Sequence, residues 1–141
     1  MESDDPSVVD DEVLYRRIAR YGDTSMIVVD EGSGDVRIGS GAFNLDSDGC
    51  SVYLHSVLAQ NELTVESIVR APQNVIISVT AGTVREVRLG VRPDPWPPDS
   101  DGHPRDAAHA LVVNPDSMGK KQLLRARRSL AATSRICLSP A

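Results

Sequence analysis

Apolar residues come in short blocks along this chain, divided by polar, glycine-bearing and proline-bearing breaks, and the spacing within each block predicts an element. Residues 12–19 carry Val13, Leu14, Tyr15 and Ile18, a block that suits either a short strand or one helical turn. Residues 25–30, with Met26-Ile27-Val28-Val29, read as a buried strand. Residues 31–35 then form a turn, and residues 36–39 return as a hairpin partner. Residues 39–49 are rich in Gly, Ser, Asn and Asp and predict a loop. Residues 50–54 form a short strand. Alternation puts its Val52 and Leu54 toward the core, and Tyr53, with His55 two residues on, toward solvent or a cleft.

In the second half, Thr64 is placed to cap a helix over residues 65–69, with Glu66 in its first turn, and Pro72 stops it. Residues 74–79, built on Val75-Ile76-Ile77, give the clearest strand pattern. Residues 82–89 read as a short helix with Val84 and Val87 inward, ended by Gly90, and Val91-Arg92 begins another strand. Residues 93–104 hold five of the nine prolines around Trp96, so an extended surface loop is expected there. Residues 109–114 form a strand, residues 118–134 the last helix, and residues 136–138 a final strand or an irregular tail.

Helices and strands alternate without a regular βαβ repeat, which predicts an α+β fold with a mixed or mainly antiparallel sheet and two or three helices. The length of 141 residues fits a single compact domain. Residues 12–141 make up that domain, and residues 1–11, acidic and poor in apolar groups, are expected to be a flexible leader. Only 4% of residues are aromatic, so Val, Ile, Leu and Ala must build the core. No apolar run reaches the ~18 residues that span a bilayer, and the N-terminus lacks the basic and apolar regions of a secretory signal. A cytoplasmic protein without membrane contact is therefore expected.

Charge changes this picture. Residues 1–69 carry a net −10 and residues 70–141 a net +5, so the total of −5 hides a dipolar chain. The positive end is concentrated in the last helix, where Lys121, Arg125 and Arg128 share a stripe at i, i+4, i+7 opposite Leu123, Ala126 and Leu130. Such a face can be simply solvated, with its late cations suiting the helix dipole. It can also meet an acidic protein partner or the chain's own acidic half, or it can contact phosphates. The acidic total and the lack of interleaved aromatics argue against nucleic acid. Trp96 in its proline-rich loop is a candidate interface anchor.

Signals for chemistry are sparse. Cys50 and Cys137 give neither a disulfide framework nor a zinc quartet, and the histidines His55, His103 and His109 lack companions at metal-ligand spacing, so no metal is expected. His109, at the head of a strand, suits a packed or capped ring. Gly39-Ser40-Gly41 lacks the Lys and the strand–helix setting of a phosphate loop. No cofactor is implied by any of these patterns.

Two resemblances add to this reading. Gly41-Ala42-Phe43-Asn44, Gly49, Val52-Tyr53-Leu54, Glu62, the early Leu14-Tyr15-Arg16 and the later Asn114-Pro115 make the chain similar to RES-domain toxins, bacterial proteins with an ADP-ribosyltransferase-like fold that destroy NAD. That resemblance implies NAD as substrate, Arg37 or Arg17 gripping phosphate, and Tyr53 and Glu62 around the nicotinamide ribose. The family's Arg-Trp-Asn reads Ala42-Phe43-Asn44 here, so its arginine is missing. The chain more closely resembles a group of small uncharacterised bacterial proteins, through Leu14-Tyr15-Arg16-Arg17-Ile18, Ser40-Gly41-Ala42-Phe43, Ser51-Val52 and His109-Ala110. With no catalytic constellation, the expected function is non-catalytic. It is that of a protein-interaction domain with a charge-complementary partner, as an accessory component of a defence or toxin–antitoxin type operon. Its contacts would be Lys121, Arg125, Arg128 and Trp96. The alternative is a RES-like, NAD-consuming enzyme using Tyr53, Glu62 and Arg37.

Overall fold

The computed structural model describes residues 3–18, 27–29, 32–33, 36–45, 49–72, 74–95 and 104–138. Strand β1 (Val13–Ile18) pairs on one side with β4 (Cys50–Leu54) and on the other with β5 (Val75–Thr80). Beyond these lie β6 (Gly90–Pro93), β7 (His109–Val113) and β8 (Arg135–Leu138). The six strands run in the order β6-β7-β4-β1-β5-β8, and every neighbouring pair is antiparallel. With the helices α1 (His55–Gln60), α2 (Ala81–Glu86) and α3 (Lys120–Thr133), the fold is α+β. The ambiguous block at residues 12–19 is a strand, because its Leu14 and Ile18 meet one side of the sheet while Tyr15 meets the other. β2 (Ile27–Val29) and β3 (Val36–Ile38) pair as the expected hairpin, apart from the main sheet.

Both faces of the sheet are covered. One gathers Leu14, Ile18, Val52, Leu54, Ile77 and Val112 against Phe43, α2 through Val84, and α3 through Ala126 and Leu130. The other packs Tyr15, Tyr53 and Ile76 under Leu58 of α1, Ile68 and Ala108. Strand alternation at β4 is as the sequence predicts, but Tyr53 faces neither solvent nor a cleft: it is only 2% exposed. The reason is a cover of three short elements, α1 and the 3-10 turns at Val65–Ile68 and Pro104–Ala108. The segment expected as loop at residues 39–49 likewise contains a 3-10 turn, Ser40–Phe43, whose Phe43 is completely buried. Burying such a side chain stabilises the fold by about 1.5–3 kcal/mol, which makes this turn part of the core.

Short helices end here without glycine. After α1, Glu62 takes a left-handed φ of 58° while its N–H bonds Ala59 O and that of Leu63 bonds Leu58 O, a Schellman closure. After α2, Arg88 does the same at 66°, with Arg88 N–H to Arg85 O and Leu89 N–H to Val84 O. Gly90 therefore does not end that helix, as the sequence suggests. It is needed for close approach: a Cβ there would lie 2.7 Å from Asp4 Cβ and 3.0 Å from Asp4 Cα.

That approach belongs to a packed N-terminal segment. Residues 3–11, expected as a flexible leader, run along α2 and β6. Asp5 N–H donates to Val91 O at 2.8 Å, and Val91 N–H donates to the Asp4 carboxylate at 2.9 Å. The carbonyls of Asp10 and Glu12 accept from Gly82 and Ala81, in the first turn of α2. Val8 is buried. Arg85 closes the arrangement, donating to Asp4 at 3.1 Å, to Asp10 at 2.7 Å and to Asp5 O at 2.9 Å. Composition marks the segment as too polar for a core, but its carboxylates and backbone are held by one guanidinium and a strand edge.

Arg85→Ala is expected to lower stability by about 1–2 kcal/mol, because it strips several charge-assisted hydrogen bonds from two carboxylates. Gly90→Ala is expected to push the segment off β6. Hydrogen exchange at the Asp5 and Gly82 amides reads both effects. Amides as protected in the variants as in the wild type would show that the segment is held by something else.

Candidate functional site

Helix α3 is written almost entirely in strong helix formers, KKQLLRARRSLAAT, and carries no acidic residue. Ala126, Leu130 and Ala131 are buried, with Leu123 partly buried beside them. This inward stripe fixes the opposite face. Lys120, Lys121, Arg125 and Arg128 are exposed, as the amphipathic pattern predicts. Among the described residues no acid stands within ion-pair distance of Lys121, Arg125 or Arg128. Arg127 turns the other way and pins the helix to the Phe43 turn, donating to Ser40 O at 3.2 Å and Asn44 Oδ1 at 2.5 Å.

The acidic half does not supply the missing partners among the described residues. Asp4 and Asp10 hold Arg85, and Asp116 holds Arg88 at 3.3 Å. The mutual hydrogen bonds raise the Arg85 pKa further, Asp10 contributing most. These arginine–aspartate pairs lie at and just after α2, and among the described residues Lys121, Arg125 and Arg128 have no such pair.

Beside α3 runs a groove of about 780 Å³. Its polar wall is Arg37 of β3, Arg128 of α3, Arg135 of β8, Ser40 and Ser134; its apolar wall is Ile38, Ala131, Ala132 and Ile136. All three arginines are exposed, and among the described residues no acid lines the groove. Trp96 lies outside the described residues.

The residues assigned by the NAD-consuming alternative fall in different places. Arg37 belongs to this groove, on the side of the sheet that α3 covers. Tyr53 lies under the opposite cover, beside Arg17. There Arg17 donates to Ile68 O at 3.1 Å. Burial lowers its pKa most, the Tyr53 hydroxyl opposes this, and Arg70 and Arg105 add to the lowering. Glu62 is exposed at the Schellman turn after α1, where its backbone role accounts for its position.

One polar arrangement could not be read from the sequence. His109 Nδ1 lies 2.8 Å from the Asp94 carbonyl, with the Asp94 carboxylate at 3.4 Å, and Nε2 lies 3.0 Å from Ser51 Oγ. A carbonyl only accepts, so Nδ1 carries the proton and Nε2 accepts from the serine hydroxyl. Serine, imidazole and carboxylate in this order can form a proton relay. Here the ring is 1% exposed and packs edge-on against Tyr53. It ties β4, β7 and the chain leaving β6 together, in keeping with the packed histidine expected at this strand head. His55 instead opens α1 at the surface and bonds Tyr15 OH at 2.9 Å. Cys50 is buried and Cys137 exposed, with no disulfide between them, and among the described residues no cluster of His, Cys, Asp or Glu is arranged to hold a metal.

Burial lowers the His109 pKa below its usual 6.5, while Asp94 and Asp106 pull against it. The unfolded chain therefore takes up a proton before the folded one does. Stability is fully present above about pH 6.5 and falls as the pH drops toward the folded-state value, by no more than about 1.4 kcal/mol per pH unit from this group. Urea midpoints at about pH 7.5 and 5.5 should differ more for the wild type than for His109→Gln. Equal differences would remove His109 from the acid response. Replacing Glu62 by Gly, which favours a left-handed φ, should raise stability by about 0.5–1 kcal/mol in the same urea titration.

No helix among the described residues is long and apolar enough to cross a membrane. Compared with known proteins, the chain matches no family model, no curated protein and no solved structure.

Proposed function

We propose that this protein is a non-catalytic binding domain that docks an acidic protein partner on the exposed cationic face of α3. The observation that carries the reading is the stripe of Lys121, Arg125 and Arg128, exposed and without an acidic partner among the described residues. Asp4 and Asp10 of the acidic N-terminal segment are held by Arg85. Cations on a rigid helix steer an oppositely charged surface into register and raise the association rate at low salt. Trp96, by its chemistry, is the proposed aromatic anchor for the same partner. The setting proposed is the bacterial cytoplasm, as an accessory component of a defence or toxin–antitoxin type operon.

An NAD-consuming activity draws support from the neighbourhood of Arg17 and Tyr53. It would require a ligand to reach a nearly buried tyrosine, and Arg37 takes no part in that arrangement. Incubated with NAD, the purified protein is expected to leave the dinucleotide intact; stoichiometric nicotinamide release, abolished by Glu62→Ala, would establish the enzyme reading instead.

Affinity purification of the tagged protein from its native cell, followed by mass spectrometry, tests the binding reading. A stoichiometric partner is expected with the wild type and not with the double variant Arg125→Glu, Arg128→Glu. Measured directly, that partner's affinity should fall about 10–100-fold on charge reversal and weaken with added salt. An affinity unchanged by the reversal removes α3 from the interface.

A further inference from the structure

We infer that the groove between β3 and the C-terminal half of α3 is a binding site for a phosphate monoester. Three arginines line it from three separate elements: Arg37 from β3, Arg128 from α3 and Arg135 from β8. Among the described residues no lining residue is acidic. A single carboxylate, with one charge and two oxygens, is matched by one arginine fork. A phosphate monoester carries a charge of about −1.5 to −2 and three terminal acceptor oxygens, and suits several forks at once.

A simpler account would have these arginines serve the carbonyl end of α3, but the carbonyls of Ser129, Leu130 and Ala131 already have donors. Thr133 Oγ1 donates to Ser129 O and Leu130 O, Ser134 Oγ donates to Ala131 O, and Ser134 N–H donates to Leu130 O. The helix end opposes an anion with roughly half an elementary charge. Three formal positive charges outweigh it. Ile38 and Ile136 give the apolar wall on which the remainder of the ligand rests, and about 780 Å³ is room for more than an inorganic ion. The ester can be a small phosphorylated metabolite or a phosphorylated side chain of the partner.

The site shares only Arg128 with the α3 stripe, so the two readings fail separately. Calorimetric titration with three probes tests it: a hexose 6-phosphate, a phosphoserine pentapeptide, and acetate as the carboxylate control. At least one phosphate ester should bind about ten-fold or more tightly than acetate, and its unphosphorylated counterpart should not bind. Arg37→Ala and Arg135→Ala should each weaken it about ten-fold, and Arg37→Lys should recover only part, since the charge returns without the fork. Lys120→Ala, at the other end of α3 and outside both the stripe and the groove, should leave it unchanged. Tighter binding of the peptide assigns the phosphate to a protein partner, and tighter binding of the sugar assigns it to a metabolite. Phosphate esters no tighter than acetate, or binding indifferent to Arg37 and Arg135, would overturn the proposal.

Discussion

β1 is hydrogen-bonded along both edges, to β4 and to β5, and its alternation decides which side of the sheet its neighbours' side chains take. Leu14 and Ile18 point to the face that α2 and α3 cover; Tyr15 and Arg17 point to the face under α1 and the two 3-10 turns. A slip of one residue against β4 would exchange those faces and carry Arg17 into the larger apolar core. Register is protected from both sides. Tyr15 OH reaches His55 at the head of α1, and Arg16 reaches across to Ala42 O and Ser51 O. These bonds connect the central strand to elements distant in sequence, so the covers on both faces are anchored to the same six residues.

The same constraint sorts the polar groups. Those on the face under α1 are enclosed, and each must find a partner to be tolerated there. His109 does so through Ser51 and Asp94, and Arg17 through Ile68 O. On the side of α3 the only requirement is that the inward stripe be apolar, so the outward residues are free of any packing role. Charge can accumulate there at little cost to the fold, because exposed cations on a helix are screened and well hydrated.

Legibility in the sequence followed the range of the interaction. Most of the sheet strands and α3 were readable because their signals are local: Val75-Ile76-Ile77, the helix-forming run from Lys120, and the two-residue alternation at Val52 and Leu54. Helix α1 was not, since it starts after Leu54, which offers no capping side chain, and closes on Glu62 where a glycine is the usual signal. The cover over Tyr53 depends on α1 and on turns at Val65 and Pro104, so the strand face was correct while its burial was not. The docked N-terminal segment needed Arg85, some 75–81 residues away, to be foreseen. Arg37 was singled out among the candidate site residues, yet its neighbours in the groove, Arg128 and Arg135, come together only through the α3–β8 turn.

A net charge of −5 would seem a poor basis for recruiting an acidic partner, but long-range charge and local charge act at different distances. At physiological salt the Debye length is about 8 Å, so carboxylates farther than that from the face of α3 are largely screened from it. What an approaching surface meets is the local set: Lys121, Arg125 and Arg128, then Arg37 and Arg135 where the groove opens. The clasp at Arg85 keeps Asp4 and Asp10 along α2 and β6, in place of a mobile acidic strand able to fold back onto the basic face. Under the proposed function its contribution extends beyond stability: with Asp4 and Asp10 paired to Arg85, these two anions do not neutralise the cations of α3.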